Sequence, residues 1–294
     1  MKNNRLLSFI IILFVYVIAT IAGFITYINL DINFYINILL ADVVATVVVF
    51  IFSLIFNNAS VYDPYWSVLP VVVVIFLLFD KEINIVRALL AIAVIGWGLR
   101  LTLNWAYTFK NLNSEDWRYV NLKNQTKWFY PFVNFFGIHL MPTLIVYLCI
   151  LPVLFVFNND VTLNSFVIIF FILAIMAFSM QGIADYQMHK FRKNKNSIYI
   201  RNGLWKYSRH PNYLGEILMW WMVSLFSIFA LGNFYFLVAG AVVNTFLFVF
   251  ISIPLAERHQ RDRKPNFDEY KRETRMLLPI YKRVKENDQF EERL

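Results

Sequence analysis

Residues 34–57 read FYINILLADVVATVVVFIFSLIFN, an apolar run that carries a single charge, Asp42. A helix rising 1.5 Å per residue needs about 20 mostly apolar residues to cross a bilayer core. This run therefore reads as a membrane span. Working outward, comparable runs recur at 6–28, 66–80, 84–107, 132–157, 162–184, 212–231 and 233–255, with 66–80 the shortest. The first is too long for a signal-peptide core, and no small-residue cleavage site follows it, so it reads as a retained helix. The fold class is an all-α, polytopic membrane bundle of about eight transmembrane helices.

Composition agrees. The 294 residues are 59% hydrophobic and 18% aromatic but only 16% charged, far from the balance of a soluble or disordered chain. With the N-terminus inside, 24 of the 27 Lys and Arg fall in the segments on that side: Lys2 and Arg5, then residues 110–127, 190–209 and 258 onward. The positive-inside rule thus places both termini in the cytoplasm. The net charge of +8 follows from this asymmetry and implies contact with anionic membrane lipid, not nucleic acid. One cysteine, Cys149, makes no internal disulfide. Four scattered histidines are too few for a membrane di-iron centre, so no metal is expected. Gly96 and Gly98 form a lone GxG inside a span, and Walker, HExxH and GxSxG motifs are absent.

The most informative stretch runs Tyr207-Ser208-Arg209-His210-Pro211-Asn212-Tyr213-Leu214-Gly215-Glu216. Pro211 suits the first position of a helix, and His210 before it is pushed to extended geometry. The helix start then offers unpaired N–H groups and a positive dipole end beside Lys206, Arg209 and His210, which suits an anion. Asn212 and Glu216 share one face, and Gly215 between them removes bulk. A carboxylate inside a span costs roughly 2.5–3.5 kcal/mol on insertion scales, so Glu216 needs a role or a partner on a neighbouring helix. Gln181, Asp185, His189 and Arg192 line one stripe at the end of the sixth span. Asp185 could hold a ribose hydroxyl or pin an arginine; an interfacial ion pair is the plainer alternative. Arg100, one turn from the same end, could snorkel. Asp63 reads as the opener of a turn before the third span, and the tail from 256 as a charged helix lying on the bundle.

Three motifs taken together, ADYQMHKFRK (184–193), SRHPNYLGE (208–216) and FDEYKRETRMLLP (267–279), resemble the steroid 5α-reductase superfamily, most closely its DUF1295 branch of membrane proteins. The resemblance covers roughly residues 60–282 and divides the chain into N-terminal transmembrane helices, 1–58, and a membrane domain with a cytoplasmic tail, 59–294. It implies NADPH as cofactor and hydride transfer to the carbon–carbon double bond of a lipophilic α,β-unsaturated ketone, steroid- or isoprenoid-like. By the same resemblance Gln181, Asp185, Arg192, Tyr199, Arg209, His210, Asn212, Tyr213, Glu216, Arg261 and Tyr270 stand at cofactor-contacting positions. The family's acid and tyrosine, which face the ketone oxygen, fall on Asp63 and Trp97, with Glu216 at the reacting end. Trp97 lacks a phenolic proton, which argues against a 3-oxo-4-ene steroid as substrate.

Two rival readings stand beside this one. Isoprenylcysteine carboxyl and phospholipid methyltransferases share an RHPxYxG element that contacts S-adenosylmethionine. They also carry a Glu-Glu pair before Phe-Gly-x-x-Tyr, whereas this chain has a single Glu257 and then Pro265-Asn266-Phe267. The other rival is a non-catalytic lipid-binding membrane protein. The Ile, Asn, Lys and Phe bias points to an AT-rich bacterial genome and hence to the cytoplasmic membrane, with the endoplasmic reticulum as the other candidate.

Overall fold

The computed structural model describes residues 2–194 and 197–278. Each apolar run becomes a helix with a local reason for where it starts and stops. Helix α1 (Arg5–Asn29) opens where the Asn4 side chain accepts the N–H of Leu7. Asn33 caps α2 (Phe34–Phe56), which ends where Asn57 turns left-handed at φ 52°. A short 3₁₀ turn, Ala59–Tyr62, leads into α3 (Tyr65–Asp80), and Asn84 caps α4 (Ile85–Thr108).

Helices α5 (Trp117–Thr126) and α6 (Tyr130–Val133) come next. A π-helical stretch, Asn134–Leu140, then joins α6 to α7 (Met141–Asn158). Helix α8 (Ser165–Asn194) is followed by α9 (Pro211–Leu231), which Gly232 ends at φ 75°. Helix α10 (Ala239–Phe246) passes through a second π-helical stretch, Leu247–Ser252, into α11 (Ile253–Arg263), and α12 (Phe267–Glu273) closes the described chain.

Among the described residues eight helical stretches are long and apolar enough to cross a membrane, so the chain is a multi-pass integral membrane protein. Three boundaries depart from the sequence expectation. The helix expected over 162–184 continues to Asn194, about 45 Å in all, so its last turns leave the hydrocarbon layer. The run expected at 132–157 is entered through α5, α6 and the π stretch. The tail is not a separate helix from 256, because α11 continues the last span out of the membrane.

An even number of spans returns the chain to one end of the bundle. There Arg5 donates to the carbonyl of Ala106 (2.8 Å), Lys2 to that of Phe56 (2.7 Å), and Trp117 stacks on His259 with ring centres 3.7 Å apart. We call this the basic end, since residues 110–127, 190–194, 197–209 and 258–278 gather there. The final segment of the chain, 279–294, which includes Pro279 of the third motif, lies outside the described residues.

Two apolar cores hold the bundle. One, centred on Trp97, Val153, Met219 and Phe226, unites α3, α4, α7, α8 and α9. The other, around Val15, Val49 and Tyr62, unites α1 and α2 with the start of α3. Helices α8 and α9 form the most extensive pair. Gly215 explains their closeness: a Cβ there would lie 2.5 Å from Gln181 Cγ and 2.7 Å from the Ala177 carbonyl oxygen. The missing side chain makes room for a neighbouring helix rather than for a ligand.

Candidate functional site

A cavity of about 410 Å³ opens at the basic end between the outer turns of α4 and α8, the start of α9, and α11 and α12. Its wall at α9 forms as the local sequence dictates. Pro211 occupies the first helical position, and no side chain caps the helix, so the N–H groups of Asn212 and Tyr213 are available to a ligand. Asn212 and Tyr213 line the cavity, and the Tyr213 ring stacks on His210 at 5.3 Å. His210 Nε2 lies 3.2 Å from Glu257 Oε1. Burial pushes the His210 imidazole below its ordinary value, against the opposing pull of the Glu257 carboxylate.

Helix α8 contributes Asp185, His189 and Arg192 to the opposite wall. Arg192 is exposed and makes no ion pair among the described residues, so its guanidinium is free to meet an anion. Lys264 lies near it, its ammonium 5.1 Å from the Tyr199 ring centre and donating to the Ile198 carbonyl. Burial, with Arg192 adding to it, lowers the Lys264 pKa. Tyr199 and Tyr270 stack at 4.6 Å with rings 11° from parallel, forming a flat aromatic wall. Burial pushes the Tyr270 hydroxyl up to about 12, so it stays protonated at neutral pH.

Arg209 also borders the cavity, but its side chain is spent on the tail. It pairs with Glu257 at 2.8 Å and donates to the carbonyls of Thr274 and Lys271. Together with the backbone bond from Arg209 N–H to the Arg275 carbonyl (2.8 Å), this fastens α12 over the cavity. The residue expected to face a cofactor is a clamp because Glu257, 48 residues on, arrives beside it.

Below the cavity lies a buried charge cluster. Arg100 turns inward instead of snorkelling, meeting Asp185 at 2.7 Å and Glu216 at 3.7 Å. Glu216 also accepts the indole N–H groups of Trp97 (2.8 Å) and Trp220 (2.9 Å). Of the two readings of Asp185, the structure shows the one in which it pins an arginine.

Five expected site residues do not line the cavity: Glu216, in the cluster beneath it, and Trp97, Gln181, Asp63 and Arg261. Trp97 is fully buried, its indole committed to Glu216. Gln181 is buried where α8 meets α9, its amide without a hydrogen-bond partner among the described residues. Asp63 follows the 3₁₀ turn and accepts from the Tyr119 hydroxyl at 2.8 Å, so it and Trp97 do not form a pair facing one oxygen. Arg261 is exposed and pairs with Asp268 at 3.2 Å. Conversely, the cavity includes Asn104, Thr108, Trp205, Gln260 and Lys264, for which sequence reasoning had assigned no role. Asn104 Oδ1 meets His189 Nε2 at 2.7 Å, a link whose only sequence trace is the position of both residues near the basic ends of their spans. Among the described residues no cluster of metal-ligating side chains occurs.

The fold and this cavity define a multi-pass membrane protein with a cavity at its basic end lined by charged and aromatic side chains. The chain belongs to the family described as "Protein of unknown function (DUF1295)", whose model matches residues 49–274. An uncharacterized protein of Schizosaccharomyces pombe is 28% identical over 205 residues, a match covering 59% of this chain and 59% of that relative. The match thus spans about three fifths of the relative's length. No solved structure matches the chain significantly.

Proposed function

We propose that the protein is a membrane oxidoreductase that uses NADPH to reduce the carbon–carbon double bond of a lipophilic α,β-unsaturated ketone. The proposal includes an orientation with the basic end in the cytoplasm, in a bacterial cytoplasmic membrane. The observation that carries it is the uncapped start of α9 and Arg192, which forms no ion pair among the described residues, lining one cavity with a flat aromatic wall.

These residues fit a dinucleotide. The N–H groups of Asn212 and Tyr213, with Arg192 and Lys264, supply donors and positive charge for phosphates. The Tyr199–Tyr270 wall offers a stacking surface for a planar base. The paired Glu257 leaves its charge largely compensated by Arg209 and by Lys271 at 3.5 Å. Bound there, the cofactor would supply hydride.

The chain's own part is to hold the reactants and to handle the proton. Hydride addition to the β-carbon of an enone leaves negative charge on the ketone oxygen, and a donor must meet it. Since Asp63 and Trp97 do not line the cavity, we assign that donor role to the hydroxyl of Tyr213, which does. Glu216, held by two indoles and Arg100, fixes the floor beneath it and keeps α4, α8 and α9 in register.

The test is thermal stability of the purified protein in detergent with NADPH, NADH or S-adenosylmethionine. A ligand at a hundredfold excess over its Kd stabilises by about 2.7 kcal/mol. NADPH is expected to raise Tm, and Arg192→Ala to reduce the rise. A rise with S-adenosylmethionine alone would move the assignment to a methyltransferase, and no rise with any of the three to a non-catalytic lipid-binding role.

A further inference from the structure

His210, on the loop before α9, and Glu257, on α11, stand side by side at the cavity, their side chains 12% and 11% exposed. Three contacts hold His210 in place. Its backbone N–H donates to Ser208 Oγ at 3.2 Å, Nε2 lies 3.2 Å from Glu257 Oε1, and its ring is stacked 10° from parallel on that of Tyr213. Nδ1 has no hydrogen-bond partner among the described residues, yet it is not one of the polar atoms sealed from solvent. Since His210 lines the cavity, Nδ1 opens into it.

The protons of this pair follow from its surroundings. Glu257 also meets Arg209 at 2.8 Å and Lys271 at 3.5 Å, so it is a carboxylate and can only accept. The proton of a neutral His210 therefore belongs on Nε2, and Nδ1 keeps its lone pair toward the cavity. A carboxylate that orients an imidazole by one nitrogen and leaves the other open to a pocket is the arrangement of an acid–base relay. The other charges nearby are Arg209 on the same loop, Lys271 on α12, Asp185 and Arg192 on α8, and Asp116 and Arg118, which α5 brings near Tyr213. Arg209 disfavours the imidazolium and Glu257 favours it.

Reduction of an enone needs a proton at carbon as well as a donor at oxygen. We infer that His210 delivers the proton to the α-carbon, with Glu257 as its positioning residue; the inference rests on the reductase reading. Hydride bonds to the β-carbon, and the alkene electron pair moves into an enolate whose oxygen Tyr213 holds. The α-carbon then takes the Nδ1 proton of the imidazolium, the N–H electron pair stays on the ring, and the C=O bond re-forms. Water returns a proton to the imidazole, so each double bond consumes one hydride and one proton. His210 and Tyr213 are stacked neighbours on one wall, so a single enone there can meet both.

Two measurements on the full chain in detergent test this. The first needs no substrate. Histidine rings are labelled with nitrogen-15, and proton–nitrogen correlation spectra are recorded at about pH 8, where the unliganded imidazole is neutral. The His210 signal is the one lost in His210→Gln. An Nε2–H tautomer is expected, and Glu257→Gln, whose amide can donate as well as accept, should let the Nδ1–H form appear. A native His210 in the Nδ1–H form would overturn the assignment. The second measurement follows reduction of β-ionone, an isoprenoid enone, at saturating NADPH. His210→Gln should lower kcat by roughly 10²–10⁴-fold, the range for a lost general acid, while keeping the NADPH-induced rise in Tm at about pH 8. Native kcat should fall as pH rises from about 6 to 9 and the imidazolium is lost, and that of the variant should not. A native-like kcat or pH profile in His210→Gln would overturn the role and leave the dinucleotide site standing. No Tm rise with NADPH, or no turnover, in the native protein would instead remove the reductase reading itself.

Discussion

The Arg209 guanidinium lies 2.8 Å from the Glu257 carboxylate, joining the residues just before α9 to the helix that leaves the membrane last. Both side chains are largely shielded from water, and Arg209 also holds the Thr274 carbonyl, so one side chain secures the closing segment of the cavity.

Breaking that pair strands a shielded charge. Arg209→Ala is expected to cost about 3–5 kcal/mol, the usual range for removing one partner of a buried pair. Tryptic cleavage after Lys271 and Arg272, at the end of α12, should accelerate with it. In a double-mutant cycle, Arg209→Ala and Glu257→Ala together should cost less than their sum, and strict additivity would contradict the clamp.

The seam between α8 and α9 makes a sharper prediction. Gly215→Ala places a methyl against the Ala177 carbonyl oxygen, which is backbone and cannot swing aside. A loss of about 1–3 kcal/mol is expected, read as a lower Tm. Shortening Gln181 to Ala should relieve only part of it, because the carbonyl contact remains.

Acid should loosen the unliganded protein through His210. Its pKa is lowered in the folded state by burial, so the unfolded chain binds the proton more readily. Stability from this group is present above the unfolded value of about 6.5 and falls as pH drops through the lower folded value. Tm measured from pH 7.5 downward should therefore decline more steeply in the native protein than in His210→Gln. An anion bound at the start of α9 favours the imidazolium, so dinucleotide affinity should rise over the same interval.

Tyr213→Phe isolates the proposed proton donor. Turnover of an enone substrate is expected to fall by roughly 10²–10⁴-fold, the range for a lost general acid. The Kd for NADPH should change little, since the phosphate-holding groups are untouched. Equal loss in binding and turnover would assign Tyr213 to cofactor retention instead.

The bundle was legible because each span is an uninterrupted apolar run, and run length is a strong constraint on membrane crossing. The start of α9 was equally legible, since the effect of Pro211 on its own helix and on His210 is local. What escaped depends on partners remote in the chain. Asp185 and Glu216 reach Arg100 from 85 and 116 residues away, and neither spacing leaves a periodic trace. Arg209 looked available because its neighbours in sequence give no sign of Glu257. Asp63 and Trp97 were named together by resemblance alone, and the sequence does not show that their side chains meet Tyr119 and Glu216.

The length of α8 carries a final consequence. At about 45 Å it is longer than a bilayer core of about 30 Å, and its outer turns carry Asp185, His189 and Arg192 into the cavity wall. One rigid rod thus serves both as a span and as a wall, so any change in its tilt moves the two together.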